Sequence, residues 1–245
     1  MYLRQVAALE EIKKEIIRLR ALPGTWRTNL FASDEVLSRW CEKGDLYVLA
    51  DEESFFLLRR REAFFHAFFC TVSLPDAEKA LFKLARKIET PVSIDIVGED
   101  EELGTMPTRA GFHHAATLKR MTRPNEDMQA ENLPLREGEY ARLHELSFLA
   151  AYLKKTFDPM TKQLPDEDEL SRMVREKRVL TLRTPKNCIA GFLVFEPQRA
   201  RVLLRYMVVT ENGAGSHWAK RYCKNPWESV VGYENIPFTT KNDTI

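Results

Sequence analysis

Along the first half of the chain the spacing of apolar residues changes from helical to extended and back again. Leu9, Ile12, Ile16 and Leu19 stand three or four apart with Glu and Lys between them, the stripe of an amphipathic helix. Leu22-Pro23-Gly24 closes it. Before it, Met1 to Ala7 reads as a short strand. Ser33-Asp34 has the character of a helix cap ahead of Val36, Leu37 and Trp40, and Lys43-Gly44 ends that second helix. Three extended runs follow, "LYVLADE", "SFFLLRRRE" and "AFFHAFFCTVS", rich in aromatic and apolar residues and separated by short turns. After Pro75 the helical period returns in Ala77, Leu81, Leu84 and Ile88. "PVSIDIV" then reads as a strand, followed by an acidic helical turn and by "GFHHAATLKRM" as a further strand. Residues 1–122 therefore predict the order βααβββαβαβ.

The polar, proline-containing stretch "TRPNEDMQAEN" has no apolar period and reads as a linker. Beyond it much of the order recurs. "EGEYARLHELSFLAAYLKKTF" predicts a helix with Tyr140, Leu143, Leu146, Ala150 and Leu153 on one stripe. "DEDELSRMVREKR" predicts a second, opened by acidic residues as the helix dipole favours. "VLTLRTP", "CIAGFLVFEPQ" and "RVLLRYMVV" predict three strands, followed by a glycine-containing turn and a helix beginning near Ser216. Two helices, a three-strand meander and a helix leaving the third strand thus occur twice, the mark of an internal duplication. The expectation is two domains, 1–123 and 124–245, of α/β (α+β) class, each a mixed, mostly antiparallel sheet flanked by helices.

Composition narrows the function classes. The 245 residues suffice for two small cores, and 44% hydrophobic with 30% charged residues suits a globular protein. A formal net charge of +1 offers no electrostatic case for a nucleic-acid or membrane-surface partner. The basic run Arg59-Arg60-Arg61 reads as solvated strand or turn residues. The four cysteines, Cys41, Cys70, Cys188 and Cys223, form no C-x-x-C pair, which argues against a zinc site and for reduced, buried thiols in a cytoplasmic protein. The N-terminus has no signal-peptide core, and no apolar run reaches membrane-spanning length.

The stretch "LLRYMVVTENGAGSHWAKRY" carries the candidate chemistry. A strand that turns through glycines into a helix aims several unpartnered amides at one spot, where the helix dipole adds positive charge. Such a place binds phosphate. Gly213 and Gly215 keep side chains away from that spot, and Ser216 could add a hydroxyl. The bland alternative is that both glycines serve only a turn with positive φ.

The order β, α, α, β, β, β, glycine turn, helix resembles the Gcn5-related N-acetyltransferase (GNAT) superfamily. There the fourth strand ends in R/Q-x-x-G-x-G/A, whose amides hold the pyrophosphate of acetyl-coenzyme A. "TENGAG" occupies that place, with Gly213 and Gly215 at the small positions and Thr210 where Arg or Gln is usual. The resemblance implies that the backbone of Met207, Val208 and Val209 pairs with the pantetheine arm. It implies that Thr210, Asn212, Gly213, Ala214, Gly215, Ser216 and His217 surround the phosphates. In the first half "TRAGFHHAATLKRM" resembles the family's closing stretch, with Gly111-Phe112 for its "GF" and Pro107 in place of its tyrosine. The corresponding phosphate turn, "TVSLPDAEKAL", has no glycine and sets Pro75 and Asp76 at the helix start, where a carboxylate competes with pyrophosphate. The resemblance therefore implies a first half that has lost coenzyme A binding.

"GYENIPF" near the end also resembles the family's "Y-E-K-x-G-F", with Tyr233 and Phe238 in register. Either it closes the second half, or "ESVVGYEN" forms that half's fifth strand. In both cases the second sheet keeps an edge that something else must cover. Tyr233 and Tyr222 are the candidate acids for a departing thiolate; the plainer reading of each is a core or rim tyrosine. Glu196, Glu211 and His217 could relay a proton or touch phosphate, against a plain surface role. His113-His114 alternate on a strand, so one faces inward and the pair is no metal site. The acidic run Asp166 to Glu169 attracts a cation or simply starts a helix. No metal is expected.

These readings converge on transfer of an acetyl or other acyl group from acyl-coenzyme A to a small-molecule amine or peptide. No nucleic acid or membrane partner is expected, and a homodimer is compatible. The alternative is a non-catalytic GNAT-fold sensor or scaffold. Tandem relatives that pass amino acids from aminoacyl-tRNA to peptidoglycan precursors are disfavoured by the missing basic stripe.

Overall fold

A computed structural model describes residues 3–50, 52–98, 100–119, 139–198, 201–211 and 234–239. These fall into two compact units, residues 3–119 together with 234–239, and residues 139–211.

The first unit opens with β1 (Arg4–Gln5) and α1 (Leu9–Arg20), then β2 (Arg27–Thr28) and α2 (Asp34–Glu42). The Ser33 hydroxyl caps α2 by accepting from the Val36 amide at 3.4 Å. A meander of β3 (Leu46–Ala50), β4 (Ser54–Arg60) and β5 (Phe65–Thr71) leads into α3 (Leu74–Lys87). Next come β6 (Val92–Val97), α4 (Glu101–Arg109), and the short β7 (His113–His114) and β8 (Leu118–Lys119). "GFHHAATLKRM" is thus two short strands, not one, and β2 has no counterpart in the sequence reading. The "acidic helical turn" is the full helix α4, carrying Pro107 inside it.

The sheet is buried on both faces by alternation along its strands. Phe56, Leu58, Ala67, Phe69, Ile94 and Ile96 pack with Ala77, Leu81 and Leu84 of α3 and Met106 of α4. Phe55, Leu57, Phe68 and Cys70 pack with Ile12 and Leu19 of α1 and Leu37 and Trp40 of α2. This is why β4 reads as an unbroken apolar run rather than an alternating one.

The last described strand, β13 (Glu234–Thr239), completes this first sheet. The strand order is β1-β3-β4-β5-β6-β13-β7, with β2 also on β5 and β8 also on β13. β13 runs antiparallel to β6, from Asn235 opposite Val97 to Thr239 opposite Ser93. On its other side it pairs Phe238 with His114 and Asn235 with Leu118. The ladder on that side is interrupted beside Ile236 and Pro237. A proline has no N–H to give, so it is tolerated in an inner strand only where the ladder breaks. The sequence reading set "ENIPF" in the second half; hydrogen bonding sets it in the first sheet.

The second unit begins with β9 (Glu139–Tyr140), a 3₁₀ turn at Leu143–Glu145, α5 (Leu146–Thr156) and α6 (Glu167–Arg175). The single long helix expected from "EGEYARLHELSF" is therefore a strand, a turn and a shorter helix. Strand β9 forms because Tyr140 and Glu139 pair with Leu180 and Thr181. A part-buried ion pair fixes the entry: the Arg183 guanidinium donates to Glu145 at 2.7 Å, and also to the exposed Glu139 at 3.0 Å. Burial pushes the Glu145 carboxyl up, but the Arg142 amide and the Arg183 guanidinium outweigh it and hold the group below its ordinary value. Three strands follow, β10 (Val179–Arg183), β11 (Ile189–Gln198) and β12 (Arg201–Val209), in the order β12-β11-β10-β9. Val179, Val194 and Tyr206 form one row of their inner face, and Phe192 and Val208 lie in the next, over Leu149, Leu153, Leu170 and Met173 of α5 and α6.

Candidate active site

Strand β12 is the element on which the sequence-predicted site begins. Among the described residues its only strand partner is β11, and no described strand pairs with its outer edge. Val208 is buried in the core, whereas Met207 projects from the opposite face, 45% exposed. The ladder to β11 shifts register midway. Val194 lies opposite Tyr206 and Phe195 opposite Leu204, which leaves Arg205 as an extra residue. Such a bulge bends and twists a strand away from a flat ladder. Past the bulge, Tyr206 to Val209 pair in regular register with Val194 to Gly191. The Tyr206 ring is buried, its hydroxyl donates to the Gln163 carbonyl, and burial raises its pKa.

Thr210 ends the strand. Its amide donates to the Ala190 carbonyl at 3.0 Å, and its hydroxyl donates to the Ile189 carbonyl at 2.7 Å. The Thr210 side chain is thus turned inward, and the residue is only 1% exposed. Glu211 follows at the surface, paired with Lys155 at 2.5 Å. Glu196 sits 3.8 Å from the bulge residue Arg205. Of the predicted site, Met207, Val208, Val209 and Thr210 are brought together on one strand edge. Asn212, Gly213, Ala214, Gly215, Ser216, His217, Tyr222 and Tyr233 lie outside the described residues.

Other candidates resolve into ordinary structure. Asp166 and Glu169 form a reciprocal cap of α6, at 2.8 and 2.9 Å. His113 and His114 are both exposed, so neither faces inward as strand alternation suggested, and His114 meets the Thr117 hydroxyl at 3.0 Å. Cys41 and Cys70 are buried as expected, but Cys188 is exposed. Arg59 departs from its expected solvated role: it is 7% exposed, with its guanidinium 4.2 Å above the Trp40 ring.

The first unit contains a second constellation that the sequence reading did not name. β5 and β6 run parallel and pair only at Phe65–Val92, His66–Ser93 and Ala67–Ile94. His66, fully buried, lies 3.5 Å from Asp95 and against Phe68. Burial holds its imidazole neutral down to about 4; Asp95 opposes that shift, and Arg61 and Arg59 reinforce it. Beyond Ala67 the fork between β5 and β6 is filled by the chain itself. Arg27 pairs with Thr71 and Thr28 with Cys70. Asn29 donates to Ala67 and Asp95 carbonyls at 3.2 and 2.8 Å and accepts from the Phe69 amide at 2.6 Å. No local signal in "TWRTNLF" announces this, because the partners lie some 40 to 66 residues away.

No family model matches the chain, and no curated protein matches it. Its fold is similar to that of a solved GCN5-related N-acetyltransferase. A GCN5-related N-acetyltransferase from Kribbella flavida superposes over 97% of this chain and 70% of its own, with a TM-score of 0.53 and 11% identity. A protein assigned as an acetyltransferase from Thermoplasma acidophilum aligns over 98% of this chain and 99% of its own, with a TM-score of 0.45 and 10% identity.

Proposed function

We propose that the second unit binds acetyl-coenzyme A, or another acyl-coenzyme A, and passes the acyl group to an amine. The observation that carries this reading is strand β12, bulged at Arg205, whose outer edge has no strand partner among the described residues and which leads in sequence to Gly213 and Gly215. An extended, amide-bearing chain such as pantetheine can add to that edge as a further strand, its hydrogen bonds supplied by the backbone of Met207 to Val209. The pyrophosphate then falls at the glycine turn. The fold shared with the Kribbella flavida acetyltransferase supports the same reading.

In this scheme the neutral amine attacks the thioester carbonyl carbon, the C–S bond breaks, the nitrogen gives up its extra proton to solvent, and the amide forms without an acyl-enzyme intermediate. The departing thiolate takes a proton, for which Tyr233 is the first candidate and Tyr222 the second. The acceptor is a small-molecule amine or a peptide. A sensor that binds coenzyme A without turning it over is the second reading, favoured by the inward Thr210 hydroxyl.

Thermal unfolding with and without acetyl-coenzyme A, followed by an amine screen for free thiol release, tests the proposal. Saturable stabilisation, about 2.7 kcal/mol at a hundredfold excess over the dissociation constant, with turnover of an amine supports the enzyme. Stabilisation without turnover transfers the case to the sensor. No stabilisation contradicts both.

A further inference from the structure

The third strands of the two meanders, β5 and β12, hold corresponding positions but differ at one edge. β5 pairs with β4 along its whole length on one side, from Arg60–Phe65 to Ser54–Thr71. Its other edge pairs with β6 only as far as Ala67, after which the two strands diverge. A diverging parallel pair leaves backbone donors and acceptors that need partners. On β12 the equivalent edge has no partner among the described residues. On β5 the segment Gly24–Asn29 supplies every element such a fork lacks.

Arg27 and Thr28 add an antiparallel ladder at Thr71 and Cys70, and the Asn29 amide nitrogen donates to Phe69 at 3.3 Å. The Thr28 hydroxyl also donates to the Phe69 carbonyl at 2.6 Å. The Asn29 side chain spans the fork itself, joining Ala67 of β5 to Asp95 of β6, and it is 6% exposed. At the strand's end Gly24, with φ +134°, lies so close that a Cβ there would fall 2.5 Å from the Val72 carbonyl oxygen. The N-terminus of α3 is engaged as well. The Ser73 hydroxyl accepts from the Asp76 amide and donates to the Asp76 carboxylate at 2.7 Å, and Lys79 binds the same carboxylate at 3.1 Å. The Ser73 and Lys79 hydrogen bonds hold the Asp76 carboxyl below its usual range, so it stays an anion where a phosphate would need to lie.

We propose that residues 24–29 are a built-in occupant of the first unit's inter-strand slot. The segment makes the backbone hydrogen bonds an extended pantetheine would make and leaves no edge for one. The first unit is therefore closed to acyl-coenzyme A, and its fork serves as a structural joint holding α1 and α2 to the sheet. Each chain then has one binding edge, on β12. That second clause rests on the function proposed above; the closure of the first slot does not.

Residue-resolved hydrogen exchange on the full chain, with and without coenzyme A, tests this. Without ligand the Phe69 amide should be as protected as its neighbours in β5, because it donates to Asn29. Asn29→Ala should speed its exchange about tenfold while Leu57 and Phe56 stay protected. Added coenzyme A should change no amide from Phe68 to Thr71. Exchange of Phe69 at an unprotected rate in the wild-type chain, or slowing of Phe68 to Thr71 by coenzyme A, would overturn the proposal. If coenzyme A slows only Met207 to Val209, both proposals stand. If it slows no amide anywhere, the function proposed for the second unit falls while the closed slot remains.

Discussion

At the scale of single residues the strongest pH sensor is His66. Its folded-state pKa near 4 lies below its ordinary value of 6.5, because burial disfavours the imidazolium. The unfolded state therefore binds the extra proton first as the pH falls. The neutral His66 contributes stability that is complete above pH 6.5 and is lost progressively down to about pH 4. The loss is about 3 kcal/mol. Urea midpoints measured across that window should fall steeply for the wild-type protein and less for His66→Gln. Equal slopes would mean that another group governs the decline. Tyr233 belongs to the same scale. If it protonates the departing thiolate, Tyr233→Phe should cut turnover about 10²- to 10⁴-fold and leave acetyl-coenzyme A affinity unchanged. Full turnover in that variant, with loss in Tyr222→Phe, would transfer the role.

At the scale of elements, what could be read in the sequence depended on how local the determinants are. Helices α1, α2, α3 and α6 and the six meander strands were legible, because their apolar periods, caps and turns lie within one segment. β9 was misread as helix because Tyr140 fits a helical stripe as well as a strand, and only its pairing with Leu180 decides. Arg205 as a bulge and Asn29 as a fork-bridge were invisible, since each is defined by a partner on another strand. Of the predicted site the strand β12 was legible, but that its outer edge lacks a strand partner among the described residues is a property of the sheet. β13 shows the same limit most clearly: "ENIPF" carries no sign that its partners are Ser93 to Val97. It also yields a prediction. A chain ending at Val230 leaves β6 as an edge and takes from β7 and β8 the strand they pair with. It should lose the cooperative unfolding of the first unit and aggregate, as exposed edges do. A soluble truncated chain with the wild-type melting profile would show that β13 is dispensable.

At the scale of the whole molecule, both units run two helices into a three-strand meander, but the first has β2 between its helices and the second has no such strand among the described residues. In the first, a returning strand completes the sheet and residues 24–29 fill its fork. In the second, the described sheet stops at β12, which leads in sequence to Gly213 and Gly215. Among the described residues no helix is long and apolar enough to cross a membrane. Under the two proposals the difference between the units comes from side-chain detail: Asn29 and Asp76 close one slot, and the sequence sets Gly213 and Gly215, without side chains, beyond β12. The claim that the second unit alone takes acyl-coenzyme A meets its most direct test in a calorimetric titration of coenzyme A into the full chain and into Gly215→Glu. The glutamate would bring a side chain and a negative charge to the turn proposed to hold the pyrophosphate. The account predicts one site per chain in the wild type and none in the variant, with both proteins unfolding cooperatively. A variant that binds as tightly as the wild type, or a wild type with two sites, would contradict it.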